Sequence, residues 1–173
     1  MIFLAVVLLT VLFFSVVTPE AVIEHIGIQG GYMVLFILAL LGVSSVVSAS
    51  FYTTLVVFAA SGEFNPFLMG LVAAPGRAVG DSLFFFLGLH SRDISSRFWL
   101  KITQTLSAWV DRFPRWMPMA LTYGYTGFTP FPQDFLMVAM GLSGVRFRLV
   151  LPFLVLGNAT FVIWFSLFVA RMA

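Results

Sequence analysis

The chain has 173 residues, 61% hydrophobic, 17% aromatic and only 9% charged, with 21 phenylalanines, no cysteine and a net charge of +2. Soluble domains run near about 25% charged and 45–50% apolar, so this composition reads as an integral membrane protein, and nine Lys and Arg in all argue against a nucleic-acid partner. Without cysteine there are no disulfides or thiolate metal sites, and His25 and His90 are too far apart for a ligand motif, so no cofactor and no metal are expected.

Residues 2–17 are apolar and uncharged. They lack the basic start and small-residue cleavage site of a secretory signal, so they read as a retained first helix. Residues 19–31 (PEAVIEHIGIQGG) read as a short interfacial helical turn and then a loop, with Glu24 and His25 as solvated charges. Residues 32–62 carry no charge at all. As one straight helix they would run about 46 Å, half again the roughly 30 Å of a bilayer core. The small and hydroxylated residues Gly42, Ser44, Ser45, Ser48, Ala49 and Ser50 could satisfy a broken backbone there. The expectation is a spanning helix over 32–49 and a half-length segment over 51–61 that dips in and returns, with Thr53 and Thr54 near its tip.

Asn65 and Pro66 suit a helix cap and a first turn. The helix that follows, over 67–90, is the centre of the chain, because its apolar sequence LVAAPGRAVGDSLFFFLG holds Arg77 and Asp81 four residues apart. That spacing places both on one face. An arginine at the centre of a bilayer costs roughly 2.5–3.5 kcal/mol on insertion scales. Such a residue either lines a polar, water-containing cavity or is neutralised by its neighbour to fix packing. The glycines Gly76 and Gly80 allow a second helix to come close.

Residues 91–115 change character. Phe98, Trp99, Ile102, Leu106, Trp109, Val110 and Phe113 recur at spacings of three and four, with Arg97, Lys101, Arg112 and Arg115 among the polar positions. This reads as an amphipathic interfacial helix, basic on the side facing lipid phosphates. The alternative is packing on the protein's own helices. The basic interval favours the cytoplasmic side.

Residues 116–145 again outrun a single crossing, with Asp134 their sole charge. Pro130 and Pro132 interrupt a helix, and Gly124 and Gly127 loosen it. A second re-entrant hairpin is expected, its tip near 129–133 with Gln133 and Asp134 beside it. Asp134 there is either a transport group or a cap on backbone N–H groups freed by the turn. Arg146 and Arg148 return the chain to the interface. Residues 149–170 suffice for a full span, holding Gly157 and Asn158 mid-helix, where an asparagine normally faces protein.

A single offset aligns Leu55 with Leu136, Val57 with Val138, Gly76 with Gly157, Ala78 with Ala159 and Phe84 with Phe165. With a broken hairpin, a polar turn and a full helix in each half, this suggests an inverted repeat, a recurring transporter plan. The expected fold is therefore all-α and multi-pass: about four spanning helices, two re-entrant hairpins and one amphipathic helix. The whole is one membrane domain divided into residues 1–31, 32–90, 91–115 and 116–173.

Two segments resemble the DedA family, also called VTT-domain or SNARE-associated Golgi proteins. The first is Phe58-Ala-Ala-Ser-Gly-Glu-Phe-Asn-Pro66 with Gly76-Arg-Ala-Val-Gly80-Asp81 and Phe86-Leu-Gly88. The second is Thr129-Pro-Phe-Pro-Gln-Asp134 with Ala139-Met-Gly141, Arg146, Arg148 and Gly157. The resemblance implies two facing hairpins and movement of phospholipids or polyprenyl-phosphate carriers between leaflets, in some members tied to proton use. In place of the acidic residue that members often carry in the first hairpin stand Tyr52, Thr53 and Thr54. The arginines of the second have no counterpart, since Arg112 and Arg115 precede it.

The leading expectation is a lipid scramblase or flippase in a plasma or inner membrane, with Arg77, Asp81, Asp134, Asn158 and Glu63 as transport residues. Membrane lipids are the expected partners, through their phosphate headgroups; protons and a second copy of the chain are further candidates. A small-solute or ion exporter and a non-transporting scaffold are the alternatives. No nucleophile–base spacing or phosphate loop suggests an enzyme.

Overall fold

The computed structural model describes residues 19–41, 45–91, 104, 114, 116–129 and 133–173. The expected first helix over 2–17, the amphipathic connector with Arg97, Trp99, Lys101, Trp109, Arg112 and Arg115, and the prolines Pro130 and Pro132 lie outside them. The described residues form six α-helices and no strand.

Helix α1 spans Pro19–Leu41 and is interrupted at Gly27, whose φ of 66° and ψ of −179° are not helical. Glycine enters that region without a steric penalty. The stretch expected to be a loop through Gly31 is thus helical on both sides of one kink. Helix α2, Ser45–Ser61, packs against α1. The serines at 45, 48 and 50 begin this second helix and do not extend the first, so the expected single helix over 32–49 is two pieces. Its 17 residues rise about 25 Å, short of a full core crossing. It stops where Gly62 adopts φ 71°, the left-handed exit that favours glycine.

The turn before α3 is fixed by aromatic packing. Phe64 stacks on Phe58 with centroids 4.1 Å apart, and Tyr32 meets Phe64 edge-on at 5.2 Å. The Asn65 N–H donates to the Tyr32 hydroxyl at 2.9 Å. A Cβ at Gly31 would press into the Phe64 ring at 2.6 Å, which is why the second residue of the Gly30-Gly31 pair must be small. Asn65 caps α3 as its sequence suggests: Oδ1 accepts from the Phe67 N–H at 2.9 Å.

Helix α3 (Pro66–Ser91) and helix α6 (Phe147–Ala170) are long and apolar enough to cross a membrane. Between them lie α4 (Met117–Phe128) and α5 (Asp134–Ser143), about 18 and 15 Å long, too short to cross alone. Helix α5 ends at Gly144, whose φ of 80° is again left-handed.

The chain forms two compact units. One comprises Met1–Arg77 with Val162–Ala173, the other Ala78–Phe161. The first has a core that includes Leu35, Phe51, Leu55, Phe58, Met69 and Val162. In it α1 and α3 approach closely, since a Cβ on Gly76 would lie 2.9 Å from the Phe36 carbonyl oxygen and 3.1 Å from Ala39 Cβ. The core of the second is Ala78, Phe85, Met137, Met140, Val150 and Leu154. There α3 and α5 meet backbone to backbone: a Cβ on Gly88 would collide with the Val138 carbonyl, and one on Gly141 with the Phe85 carbonyl.

Both long helices are inside out relative to a soluble helix, which turns its polar side to water. On α3, Leu68, Leu71, Val79, Leu83, Phe86 and Leu87 are exposed while Asp81 is buried. On α6, Leu149, Leu151, Leu156, Leu167 and Phe168 are exposed while Asn158 and Ser166 are buried.

Candidate functional site

Each unit holds a polar cluster, and α3 contributes a charged residue to both. In the first unit, Arg77 is half-buried. Its Nη1 donates to the Tyr52 hydroxyl at 3.4 Å, and its guanidinium carbon lies 5.1 Å from the Phe51 ring centroid and 5.6 Å from that of Tyr52. Both rings come from α2, where Phe51 is buried and meets Tyr52 edge-on. Tyr52 in turn contacts Phe165 of α6 at 6.5 Å. Each cation–π contact is worth about 0.5–2 kcal/mol, more as water is excluded. Rings and a phenol are neutral, so these contacts stabilise the cation in a low dielectric while leaving its charge intact. Thr54 is buried, Thr53 exposed. Ser166, next to Phe165, is buried with its Oγ unpartnered among the described residues.

In the second unit, Asn158 Nδ2 donates to Asp81 Oδ2 at 3.0 Å. Asn158 is 0% exposed and Asp81 9%. A buried carboxylate needs donors of this kind, and the amide supplies one without cancelling the charge. In the same unit α4 carries buried hydroxyls. Thr122 and Thr126 are fully buried, each donating to the carbonyl one turn back, on Pro118 and Thr122. The Tyr123 hydroxyl and Thr160 Oγ1 share a hydrogen bond at 3.3 Å. This α4–α6 contact is close because Gly127 faces Gly157. A Cβ on Gly157 would collide with Thr126 Oγ1, so the glycine makes room for the threonine.

Gln133 is 3% exposed, and Asp134 is half-buried as the first residue of α5, where the helix dipole favours a negative charge. Gly80 is buried on α3. Glu63 is exposed in the turn before α3, its N–H donating to Ser61 Oγ. Roughly 16 Å of α3 separates that turn from Arg77.

Reading the sequence left out Phe51, Thr122, Tyr123, Thr126 and Thr160, and gave Tyr52 no role beyond filling a hairpin. A usable signal was present for the threonines, since Thr122 and Thr126 are four apart and bracket Gly124. Nothing in the sequence linked Tyr52 to Arg77. Among the described residues no cluster of His, Asp or Glu could hold a metal ion. In comparisons with known proteins, no family model, no curated protein and no solved structure matches this chain.

Proposed function

We propose that this chain is a multi-pass membrane protein that moves phosphate-bearing lipids between leaflets. The observation that carries the proposal is the reversed polarity of α3 and α6: leucines and phenylalanines outside, Arg77, Asp81 and Asn158 inside or half-inside. That arrangement suits helices solvated by lipid whose ionisable groups face a protein interior, and such groups are by default functional. The short helices α4 and α5, joined through the proline-bearing stretch 129–133, fit a re-entrant hairpin. Chain of that kind is tolerated at depth where protein or water satisfies its backbone.

In this reading a headgroup moves along the polar side of α3 while its acyl chains stay in lipid. Arg77 attracts the phosphate. Asp81, held by Asn158 one helical turn further on, limits affinity so that the lipid leaves. The DedA resemblance, the inner-membrane location and a cytoplasmic, lipid-touching stretch over 92–115 belong to the same proposal.

The test is exchange of labelled phosphatidylglycerol between leaflets of vesicles carrying the purified full chain. Wild type is expected to accelerate exchange and Arg77→Ala to lose most of that acceleration, about tenfold or more, with folding retained. No acceleration by wild type would defeat the proposal. Flux of ions or cationic drugs, independent of lipid headgroup, would favour solute export instead.

A further inference from the structure

We propose that Arg146 and Arg148, at the start of α6, dock the headgroup of an anionic phospholipid at the membrane boundary. The proposal shares with the transport reading only that α6 crosses a bilayer; it uses none of the same side chains.

The turn into α6 sorts its side chains by alternation. Val145 and Phe147 are partly buried and pack on the core of the second unit, with the Phe147 ring 5.1 Å from Phe85 and 4.9 Å from Phe86. Arg146 and Arg148 fall between and after them and are exposed. The Arg146 carbonyl accepts from the Leu149 N–H at 2.9 Å, which fixes the backbone on the far side of the pair. Two guanidiniums are thus held outward by a turn whose other side chains are anchored.

Among the described residues, nothing neutralises this pair. Neither arginine makes an ion pair or a side-chain hydrogen bond there, and the first turn of α6 contains no acidic residue. Guanidiniums in this condition suit phosphate, whose oxygens match their planar N–H fork.

The surroundings favour a lipid over a free anion. With Phe147 and Leu149 the two arginines line a cavity of about 580 Å³, within the roughly 300–1,000 Å³ of small-ligand sites. Cations and apolar side chains in one cavity fit an amphiphile, the phosphodiester on the arginines and the glycerol on Phe147 and Leu149. Further along α6, Leu149 and Leu151 are exposed and offer apolar surface to acyl chains. The 24 residues of α6 rise about 36 Å, so Arg146 and Arg148 stand at one bilayer boundary and the exposed Arg171 at the other. A zwitterionic headgroup carries its own ammonium, which the arginines repel, so selection is by net charge.

The experiment measures binding of dihexanoylphosphatidylglycerol, of zwitterionic dihexanoylphosphatidylcholine and of inorganic phosphate to the full chain in neutral detergent. Wild type is expected to prefer phosphatidylglycerol over phosphatidylcholine by about tenfold or more. Arg146→Gln and Arg148→Gln are each expected to weaken phosphatidylglycerol about fivefold, and both together about thirtyfold, with phosphatidylcholine unchanged. The double lysine variant keeps both charges and is expected to keep the preference, which ties the loss to charge and not to folding. Arg171→Gln, at the opposite end of the helix, is expected to change neither lipid.

Equal binding of the two lipids by wild type, or unchanged phosphatidylglycerol binding in the double glutamine variant, overturns the proposal. An equal loss in Arg171→Gln does so too, because the attraction would then belong to the chain's overall charge. Inorganic phosphate that binds as tightly as phosphatidylglycerol also overturns it and assigns the arginines to a free anion. Arginine-dependent binding by a chain that exchanges no lipid would leave this docking site standing and remove the transport reading. Lipid exchange by a chain whose phosphatidylglycerol binding ignores both arginines would do the reverse.

Discussion

Substituting leucine for Gly141 or Gly88 is expected to prevent folding of the unit formed by Ala78–Phe161, and alanine at either site is expected to cost about 3 kcal/mol or more. Overpacking a good core typically costs about 1–3 kcal/mol because flexible side chains give way. Here the obstacle is backbone. The added Cβ at Gly141 would overlap the Phe85 carbonyl oxygen and come within 2.8 Å of the Leu89 nitrogen, while at Gly88 it would run into the Val138 carbonyl, with Val138 Cα 3.0 Å away. The two helices would have to separate along their seam, displacing Phe85, which also packs against Phe147 of α6 with centroids 5.1 Å apart. Gly124 is the control. It lies in α4 with nothing within 4 Å of a Cβ, so Gly124→Ala should be neutral or stabilise by up to about 1 kcal/mol through helix propensity. Equilibrium unfolding in mixed micelles reads all three. Loss at Gly124 equal to loss at Gly141 would mean that helix packing at Gly88 and Gly141 is not what these glycines provide.

The second large effect concerns Asp81 and Asn158, where a double-mutant cycle separates structure from function. Asp81→Leu takes an acceptor from a fully buried amide, and Asn158→Leu takes a donor from a buried carboxylate. Each single change should cost about 1–3 kcal/mol, the carboxylate case at the upper end. Replacing both groups with apolar ones removes both desolvation penalties, and such paired replacements are often nearly neutral. The double variant is therefore expected to recover stability, giving a coupling of about 2 kcal/mol or more between residues in contact. If Asp81 serves transport, that stable double variant still fails to exchange lipid. If the pair only holds helices together, stability and exchange return together, and the scaffold reading gains.

Much of the long-helix architecture was legible because length and hydropathy alone define it. Pro66–Ser91 and Phe147–Ala170 are long apolar stretches with strong boundaries: Asn65-Pro66 at the start of the first, Arg146 and Arg171 around the second. The overlong stretches 32–62 and 116–145 were legible as interrupted for the same reason. Where the first interruption falls was not. A serine-rich run satisfies a broken backbone and starts a new helix equally well, and in this chain it does the latter. Residues 19–31 suggest a loop by residue type, Glu, His and Gly, whereas they are helical on both sides of Gly27.

The candidate site was legible in its members and not in its pairings. Arg77, Asp81 and Asn158 stand out as polar residues in apolar sequence, but periodicity offers Arg77 only the neighbour four residues on. The phenol from α2 and the amide of Asn158, 77 residues from Asp81, become partners only when distant helices meet. Thr122 and Thr126 were passed over because a threonine in an apolar helix bonds its own backbone and leaves no trace in charge or composition.

The proposed transport requires that water reach Thr53 on α2 and Asp134 at the start of α5 within the span of a bilayer, and the chain's lack of cysteine makes this directly testable. Single cysteines at Thr53, which is exposed, and at Asp134, which is half-buried, would be treated in vesicles with a charged, membrane-impermeant thiol reagent. Glu63→Cys marks full water access, and Leu83→Cys marks the exposed apolar side of α3. Both test cysteines are expected to react more slowly than position 63 and clearly faster than position 83. Reaction at both as slow as at position 83 would contradict it.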